Sequence, residues 1–317
     1  MIKKRILYGY PIGALAIAIL VYGNWLLFAT ILATTIWCLI EFYELTGLRQ
    51  NRKLFPMRRW GYILAIVILF LAYFNLLEYL DLAIVLFILA AFLYRLSNYK
   101  SEAGRFINDL AISILGGIFI GGCMSFFFRL HDLSIALRNS GIIPSGSAWL
   151  GTLPLLGPVL QHAGWTTGVG SALLDGPNWL VILPIMGSWG YDFCALFTGI
   201  LLGKTPLAPS ISPKKTIEGL VGGVIGCGTS IVLMAMIIGI DSRFYLFLFI
   251  LGMVMGTFSQ LGDLCMSSLK REAGVKDSFR FGIPGHGGML DKCDGLLFVL
   301  PLSYYVVFFA LKIIGAI

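Results

Sequence analysis

Four aspartates lie within 32 residues of one another, in a stretch that joins two apolar segments: Asp263, Asp277, Asp291 and Asp294. Asp263 and Ser267 are four residues apart, and Asp291 and Asp294 are three apart, so each pair shares a face if its segment is helical. Carboxylates that converge at membrane depth repel one another, and a divalent cation bound by their oxygens relieves that repulsion. The spacing therefore predicts a Mg²⁺ site formed by Asp263, Asp291 and Asp294.

Basic residues and a glycine-rich loop surround these acids. In the loop, Pro284-Gly285-His286-Gly287-Gly288, the glycines allow backbone N–H groups to approach an anion closely. The nearby cations are Lys270, Arg271 and Lys276. Carboxylates, cations and a glycine-rich loop are the groups that phosphoryl or nucleotidyl transfer requires. The alternative is a solvated loop whose composition has no functional meaning. It is disfavoured because placing acidic residues at the membrane border costs free energy, and such residues usually have a function.

A second polar segment, 203–219, joins two other apolar runs and contains three lysines, three prolines and several hydroxyl groups. The prolines favour an extended backbone, and lysine and hydroxyl groups donate hydrogen bonds to phosphate oxygens. An ordinary positively charged loop is the alternative, although Glu218 at the mouth of an apolar run argues against it. Asp192, inside a further apolar run, either joins a polar cavity or bonds to a neighbouring helix.

The composition places this chemistry in a membrane. Of the 317 residues, 58% are apolar and 12% are charged, whereas soluble domains contain about 45–50% apolar and about 25% charged residues. This argues against a cytosolic enzyme. Six cysteines in so long a chain do not fit a secreted disulfide scaffold, and the 14% aromatic content does not fit disorder. The net charge of +7 is attributed to positive loops rather than to nucleic acid binding.

Nine apolar segments are predicted to span the membrane: 7–23, 24–45, 60–77, 81–96, 107–128, 177–200, 217–239, 243–266 and 295–316. With a cytoplasmic N-terminus, every Lys and Arg falls on the cytoplasmic side except Arg129, Arg138, Arg243 and Lys312. We therefore predict an all-α polytopic membrane protein with about nine transmembrane helices. It comprises N-terminal membrane helices in 1–130, a long non-cytoplasmic loop over 131–176, and a catalytic membrane domain over 177–317 with cytoplasmic active-site loops.

The C-terminal half resembles the signature of the phosphatidate cytidylyltransferases, or CDP-diacylglycerol synthases. The matching residues are Ser267-Ser268-Leu269-Lys270-Arg271, Lys276-Asp277 and Pro284-Gly285-His286-Gly287-Gly288-Met289-Leu290-Asp291-Lys292-Cys293-Asp294. Gly262-Asp263-Leu264 and the segment 211–219 also match, so that the resemblance is strong over about 187–301.

The resemblance implies a reaction of CTP with phosphatidate that gives CDP-diacylglycerol and pyrophosphate. It implies Mg²⁺, with a second, monovalent cation such as K⁺ left open. It also implies a homodimer among membrane lipids with no nucleic acid partner. The short loops favour a bacterial inner (plasma) membrane, with the active site facing the cytoplasm.

Individual residues receive roles from the same resemblance. The metal ligands are Asp263, Asp291 and Asp294. The other catalytic groups, most of which would hold phosphates, are Lys270, Arg271, Lys276, Asp277, His286 and Lys292. The groups that would bind the nucleotide or the lipid head group are Ser212, Lys214, Lys215, Thr216, Glu218, Ser267, Gly285, Gly287 and Gly288.

The chain departs from the family pattern at four positions. Lys292 replaces an arginine, Met266 replaces a glutamate, and Leu196 and Ile200 stand where tyrosine and arginine are usual. Because lysine does not reproduce bidentate phosphate contacts, an inactive paralogue is one alternative. The others are an enzyme for another lipid phosphate, a polyprenol kinase and a transporter. A transporter is disfavoured because its polar groups would lie at the bilayer midplane.

Overall fold

The computed structural model describes residues 19, 24–49, 58–97, 106–139, 179–238, 240–276, 278 and 288–313. These parts of the chain are almost entirely helical. The helices are α1 (Asn24–Arg49), α2 (Arg58–Tyr73), α3 (Leu80–Ser97), α4 (Phe106–Gly116), α5 (Gly122–Asn139), α6 (Trp179–Leu202), α7 (Ile217–Ile238), α8 (Tyr245–Glu272) and α9 (Leu290–Ile313). A π-helical segment, Gly117–Gly121, joins α4 and α5 into one continuous helix, and short 3₁₀ turns at Leu77–Tyr79 and Ser242–Phe244 precede α3 and α8.

Seven helical stretches in the described parts of the chain are long and apolar enough to cross a bilayer. They are 25–47, 77–97, 107–137, 179–202, 217–237, 242–272 and 290–313. A lipid interior offers backbone groups no hydrogen-bonding partner, so a spanning segment must satisfy them internally as a helix. The predicted all-α polytopic architecture is confirmed.

The count of nine spans and the orientation of the N-terminus stay predictions. The first predicted span, 7–23, lies outside the described residues except for Ile19. The third predicted span corresponds to α2, which has 16 residues and is therefore about 24 Å long. Helix α5 continues to Asn139, nine residues into the predicted 131–176 loop, and the rest of that loop lies outside the described residues.

The helices of the C-terminal half extend further toward the polar segments than the apolar pattern indicates. Helix α8 continues to Glu272, beyond the predicted end at 266, and α9 begins at Leu290, ahead of the predicted start at 295. Asp263 and Ser267 consequently lie well inside α8, and Asp291 lies in the first turn of α9. These three candidate residues therefore belong to helices rather than to loops.

The polar segment between α6 and α7 forms a two-stranded antiparallel hairpin. Strand β1 (Pro206–Ala208) pairs with β2 (Ser212–Thr216), with Pro206 opposite Thr216. Ile211 N–H donates to the Ala208 carbonyl at 3.1 Å and closes the turn. The prolines predicted an extended backbone, and the structure shows in addition that the two extended halves pair.

Small residues allow α8 and α9 to pack with their backbones in contact. A Cβ added to Gly262 on α8 would lie 2.5 Å from the Asp294 carbonyl oxygen, and one added to Gly295 on α9 would lie 2.4 Å from Ser259 Oγ. Such close approach is typical of membrane helices, whose association depends on van der Waals packing rather than on hydrophobic burial. It brings Asp263, which follows Gly262, next to the helix that carries Asp294.

A Gly262→Ala substitution tests this contact. Because the new methyl group would clash with backbone that cannot rotate away, we expect destabilisation of about 1–3 kcal/mol, measured as a lower thermal unfolding midpoint in detergent. Gly122→Ala is the matched control, since nothing lies within 4 Å of its added Cβ. Alanine is the better helix former by about 1 kcal/mol, so the control should be unchanged or stabilised. Equal midpoints for the two variants would contradict the predicted contact.

Candidate active site

The carboxylate of Asp263 is held by two elements. Its Oδ1 accepts a hydrogen bond from Ser267 Oγ at 3.2 Å, one turn further along α8, and its Oδ2 forms an ion pair with Lys215 of β2. The predicted common helical face of Asp263 and Ser267 is confirmed. The ion pair connects α8 to the hairpin, which carries several of the residues predicted to bind the nucleotide or the lipid head group.

Asp291 joins the end of α8 to the beginning of α9. Its Oδ1 accepts a hydrogen bond from Lys270 Nζ at 2.6 Å, and its Oδ2 accepts from the backbone N–H groups of Gly288 and Ser278, both at 3.1 Å. Lys270 is buried. A carboxylate in the first helical turn also interacts favourably with the helix dipole. Asp291 is therefore a structural anchor as well as a candidate ligand.

Asp294 lies one turn deeper in α9 and makes fewer contacts. Its Oδ1 accepts a hydrogen bond from Gly295 N–H at 2.6 Å. It interacts electrostatically with Asp263, with Lys270 and with Asp192 of α6, and Asp192 interacts in turn with Asp263 and Lys215. Of the two roles left open for Asp192, the structure favours membership of the polar cluster.

The donor chemistry of this cluster suits a divalent cation, because carboxylate oxygens are the ligands that Mg²⁺ prefers. Within the described parts of the chain, no group of three or more His, Cys, Asp or Glu residues is arranged to hold a metal. Asp263 and Asp291 are each neutralised by a lysine, whereas Asp294 has no cation in direct contact among the described contacts. The three-carboxylate magnesium site stays a prediction.

The residues predicted in segment 203–219 stabilise the hairpin. Glu218 accepts hydrogen bonds from the backbone N–H groups of Lys204 and Thr205 and from Thr205 Oγ1. Thr216 Oγ1 accepts from Gly219 N–H at 3.1 Å and caps α7. Arg271, at the end of α8, donates to the Ile211 carbonyl at 3.1 Å and holds the turn of the hairpin. Their predicted roles in substrate binding stay predictions.

Other predicted site residues present their side chains to the surroundings or are not described. Lys214, Lys276 and Lys292 are exposed, and Ser212 is partly buried on β2. Asp277, Gly285, His286 and Gly287 lie outside the described residues.

Sequence reasoning missed Glu41, an acid in the middle of the apolar run of α1. Its side chain is 2% exposed, and its carboxylate accepts hydrogen bonds from Trp37 Nε1, Ser278 Oγ and the backbone N–H groups of Met289 and Leu290. The available signal was an ionisable residue inside a predicted span, which is by default functional. Trp37 lies one helical turn before Glu41. Nothing in the local sequence indicates the other three partners, which lie 237 to 249 residues away.

Aspartates and lysines thus meet where α8 ends and α9 begins, next to the positively charged hairpin. This defines a polytopic membrane protein with a polar site suited to phosphate groups at a helix boundary. Residues 3–310 match the family model described as "Cytidylyltransferase family", and the chain belongs to that family.

Named relatives match along most of their length. The phosphatidate cytidylyltransferase of Synechocystis is 31% identical over 310 residues, which is 95% of each chain. That of Staphylococcus saprophyticus is 33% identical over 248 residues, or 76% of this chain and 88% of the relative. Phosphatidate cytidylyltransferase 4 of Arabidopsis thaliana, a chloroplastic protein, is 30% identical over 99% of this chain and 75% of its own. The family resemblance of the C-terminal half is confirmed and extends over the N-terminal helices.

The Lys270–Asp291 ion pair can be tested by removing its cation. Lys270→Met leaves the carboxylate of Asp291 without its positive partner in a mostly buried place, and breaking a buried pair in this way costs about 3–5 kcal/mol. We expect a lower thermal unfolding midpoint in detergent. Adding Asp291→Leu to the same chain should recover part of the loss, because no unpaired charge then remains.

Lys204→Met is the control for that experiment. Lys204 is exposed and binds Glu218 through its backbone N–H, so its side chain should contribute little. If Lys270→Met and Lys204→Met unfolded at the same temperature, the ion pair would not hold α8 to α9.

Proposed function

We propose that this protein transfers the cytidylyl group of CTP to phosphatidate, which gives CDP-diacylglycerol and pyrophosphate for phospholipid synthesis. The observation that carries the proposal is the convergence of Asp263, Asp294, Lys215 and Lys270 at the ends of membrane helices in a chain of the cytidylyltransferase family. An acceptor that is itself a membrane lipid explains why a nucleotide-dependent site lies at the end of spanning helices.

The reaction suits the charges of this site. An oxygen of the lipid phosphate attacks the α-phosphorus of CTP, a new P–O bond forms, and the bond between the α-phosphorus and the bridging oxygen breaks. The electron pair of that bond leaves with pyrophosphate. Because the attacking phosphate is already ionised, no strong general base is required. The main barrier is the approach of two anions, so positive charge placed beforehand at the site is the largest catalytic contribution.

The lysines supply this charge from positions fixed by the fold. Lys215 reaches the site from the hairpin and Lys270 from the last turn of α8, and each is paired with an aspartate. Phosphate oxygens compete with these carboxylates for the same ammonium groups. We propose that Lys215 and Lys270 bind the phosphates of CTP and phosphatidate, together with Arg271, Lys276, His286 and Lys292.

Magnesium is the cofactor that we propose, held by Asp263, Asp291 and Asp294. When bound, it would neutralise the negative charge that develops on the pyrophosphate. Asp263 lies on α8 and Asp294 on α9. Their carboxylates are within electrostatic range of each other, and this proximity supports the proposal of a shared cation. A second, monovalent cation such as K⁺ is an open alternative within the same proposal.

We also propose that the site faces the cytoplasm from a bacterial inner membrane and that the protein is a homodimer. The hairpin and the end of α8 carry Lys204, Lys214, Lys215, Lys270 and Arg271, and such concentrations of basic residues mark the cytoplasmic side. The dimer rests on the family resemblance alone.

The activity is tested with purified protein in detergent, α-labelled CTP, phosphatidate and Mg²⁺. We expect label to enter the lipid phase only when phosphatidate and Mg²⁺ are both present. Asp294→Asn should lower the rate at least about 100-fold, because several kcal/mol of charge stabilisation would be lost with a metal ligand. Asp294 is preferable to Asp291 for this test, since Asp291 also anchors the start of α9.

Asp241→Asn is the matched control, an aspartate in the exposed turn between α7 and α8 whose pKa is lowered by hydrogen bonds from Arg243. It should leave transfer unchanged.

Transfer of label from γ-labelled CTP instead would indicate a kinase, and transfer only to another lipid phosphate would change the acceptor. Full activity of Asp294→Asn would remove Asp294 from the site.

A further inference from the structure

The carboxylate of Glu41 uses both oxygens to hold two segments of the chain that are distant in sequence. Oε1 accepts from Trp37 Nε1 at 3.0 Å and from Met289 N–H at 2.9 Å. Oε2 accepts from Ser278 Oγ at 2.9 Å and from Leu290 N–H at 2.8 Å. A carboxylate buried in a membrane helix is costly unless its hydrogen bonds are satisfied, and here four donors surround it.

Two of these donors belong to the beginning of α9. The first N–H groups of a helix have no partner within the helix, and the helix dipole favours a negative charge beside them. Glu41 is therefore a cap for α9 that is supplied by another helix, α1. Both partners gain from this contact. The N–H groups compensate for the burial of the carboxylate, and the carboxylate supplies the acceptor that these N–H groups would otherwise lack.

Glu41 and Asp291 both accept hydrogen bonds from the same two segments of the chain, Ser278 and residues 288–290. Ser278 donates its hydroxyl to Glu41 and its backbone N–H to Asp291. Gly288 donates its N–H to Asp291, and Met289 and Leu290 donate theirs to Glu41. A displacement of Glu41 would therefore also displace the turn that carries Asp291. Because Asp291 is the partner of Lys270, the ion pair would be disturbed as well.

The close approach of these groups requires glycine at position 288. A Cβ added there would lie 2.1 Å from Ser278 Oγ and 2.3 Å from Glu41 Oε2. Side chains could move away only by breaking the hydrogen bonds just described. Glycine is thus needed here for the packing of Glu41 against the turn, in addition to the phosphate-binding role predicted for the glycine-rich loop.

We propose that Glu41 is a positioning residue for the reaction. It fixes the first turn of α9 and so the placement of Asp291 and Asp294 relative to α8, without contact with the substrates itself. The kinetic part of this inference rests on the proposed cytidylyl transfer, whereas the structural part does not.

The first test is hydrogen–deuterium exchange, measured by mass spectrometry on full-length protein in detergent. Glu41→Gln keeps the size of the side chain but replaces one accepting oxygen with a donating amide, so at least one α9 N–H group or the Ser278 hydroxyl loses its partner. We expect exchange of the peptide that contains Met289 and Leu290 to accelerate at least about tenfold, with other helices unchanged. Glu44→Gln, three residues further along α1, is the control and should exchange like the wild type.

The second test is the kinetics of transfer with the same variants. For Glu41→Gln we expect kcat to fall at least about tenfold, because small displacements of reacting groups are costly, while KM for CTP changes less than about threefold. Glu44→Gln should retain both parameters. Loss of activity in proportion to a loss of folded protein, with the kcat of the remaining fraction intact, would overturn the proposal.

The two readouts separate the two hypotheses. If the wild type does not transfer label, the proposed function is wrong. Hydrogen–deuterium exchange at Met289 and Leu290 still tests whether Glu41 holds the beginning of α9. Unchanged exchange in Glu41→Gln overturns the positioning role whatever the activity. If Glu41→Gln does not fold, Ser278→Ala replaces it, since it removes one donor to Glu41. Ser278→Ala should accelerate exchange of the same peptide relative to the wild type, and unchanged exchange would overturn the positioning role.

Discussion

The junction between the end of α8 and the beginning of α9 depends on the ion pair between Lys270 and Asp291. Neither partner would be stable alone in this mostly buried place, because an isolated charge in a low-dielectric surrounding is far costlier than a paired one. Their pairing fixes the ends of two spanning helices relative to each other. One turn deeper, the contacts of Gly262 and Gly295 allow the same helices to touch, so the carboxylates of Asp263 and Asp294 face a common space.

The same principle explains how other acids of this region are held. Asp263 is balanced by Lys215 of the hairpin, Glu218 by the backbone N–H groups that follow α6, and Glu41 by the N-terminus of α9. Each carboxylate thus connects its own element to another one. Because the site is assembled from such cross-connections, its geometry depends on residues well outside the conspicuous polar segments.

The local features of this arrangement could be predicted from the sequence. The i, i+4 spacing of Asp263 and Ser267 predicted their common face. The shared face of Asp291 and Asp294 could be predicted only on the condition that their turn is helical, because the apolar pattern of the last span begins after them, at 295. The hairpin could be predicted only as an extended segment, since proline restricts one residue's backbone and does not specify a pairing partner. The ion pair between Lys215 and Asp263 joins residues 48 positions apart, and the choice of partner among several lysines depends on the packing of α6, α7 and α8.

Glu41 shows why motifs in the polar segments do not identify every residue that holds the site. Motif reasoning favours residues that are close in sequence, whereas a buried carboxylate in a membrane finds its donors wherever the fold leaves N–H groups unsatisfied. The start of α9 is such a place, because the glycine before it contributes no side chain and the first helical N–H groups point outward. An acid on α1 satisfies them and leaves Asp291 free to receive Lys270. The helices of the N-terminal half are therefore part of the site: α1 supplies the anion that holds the first turn of α9, and α9 supplies the aspartates.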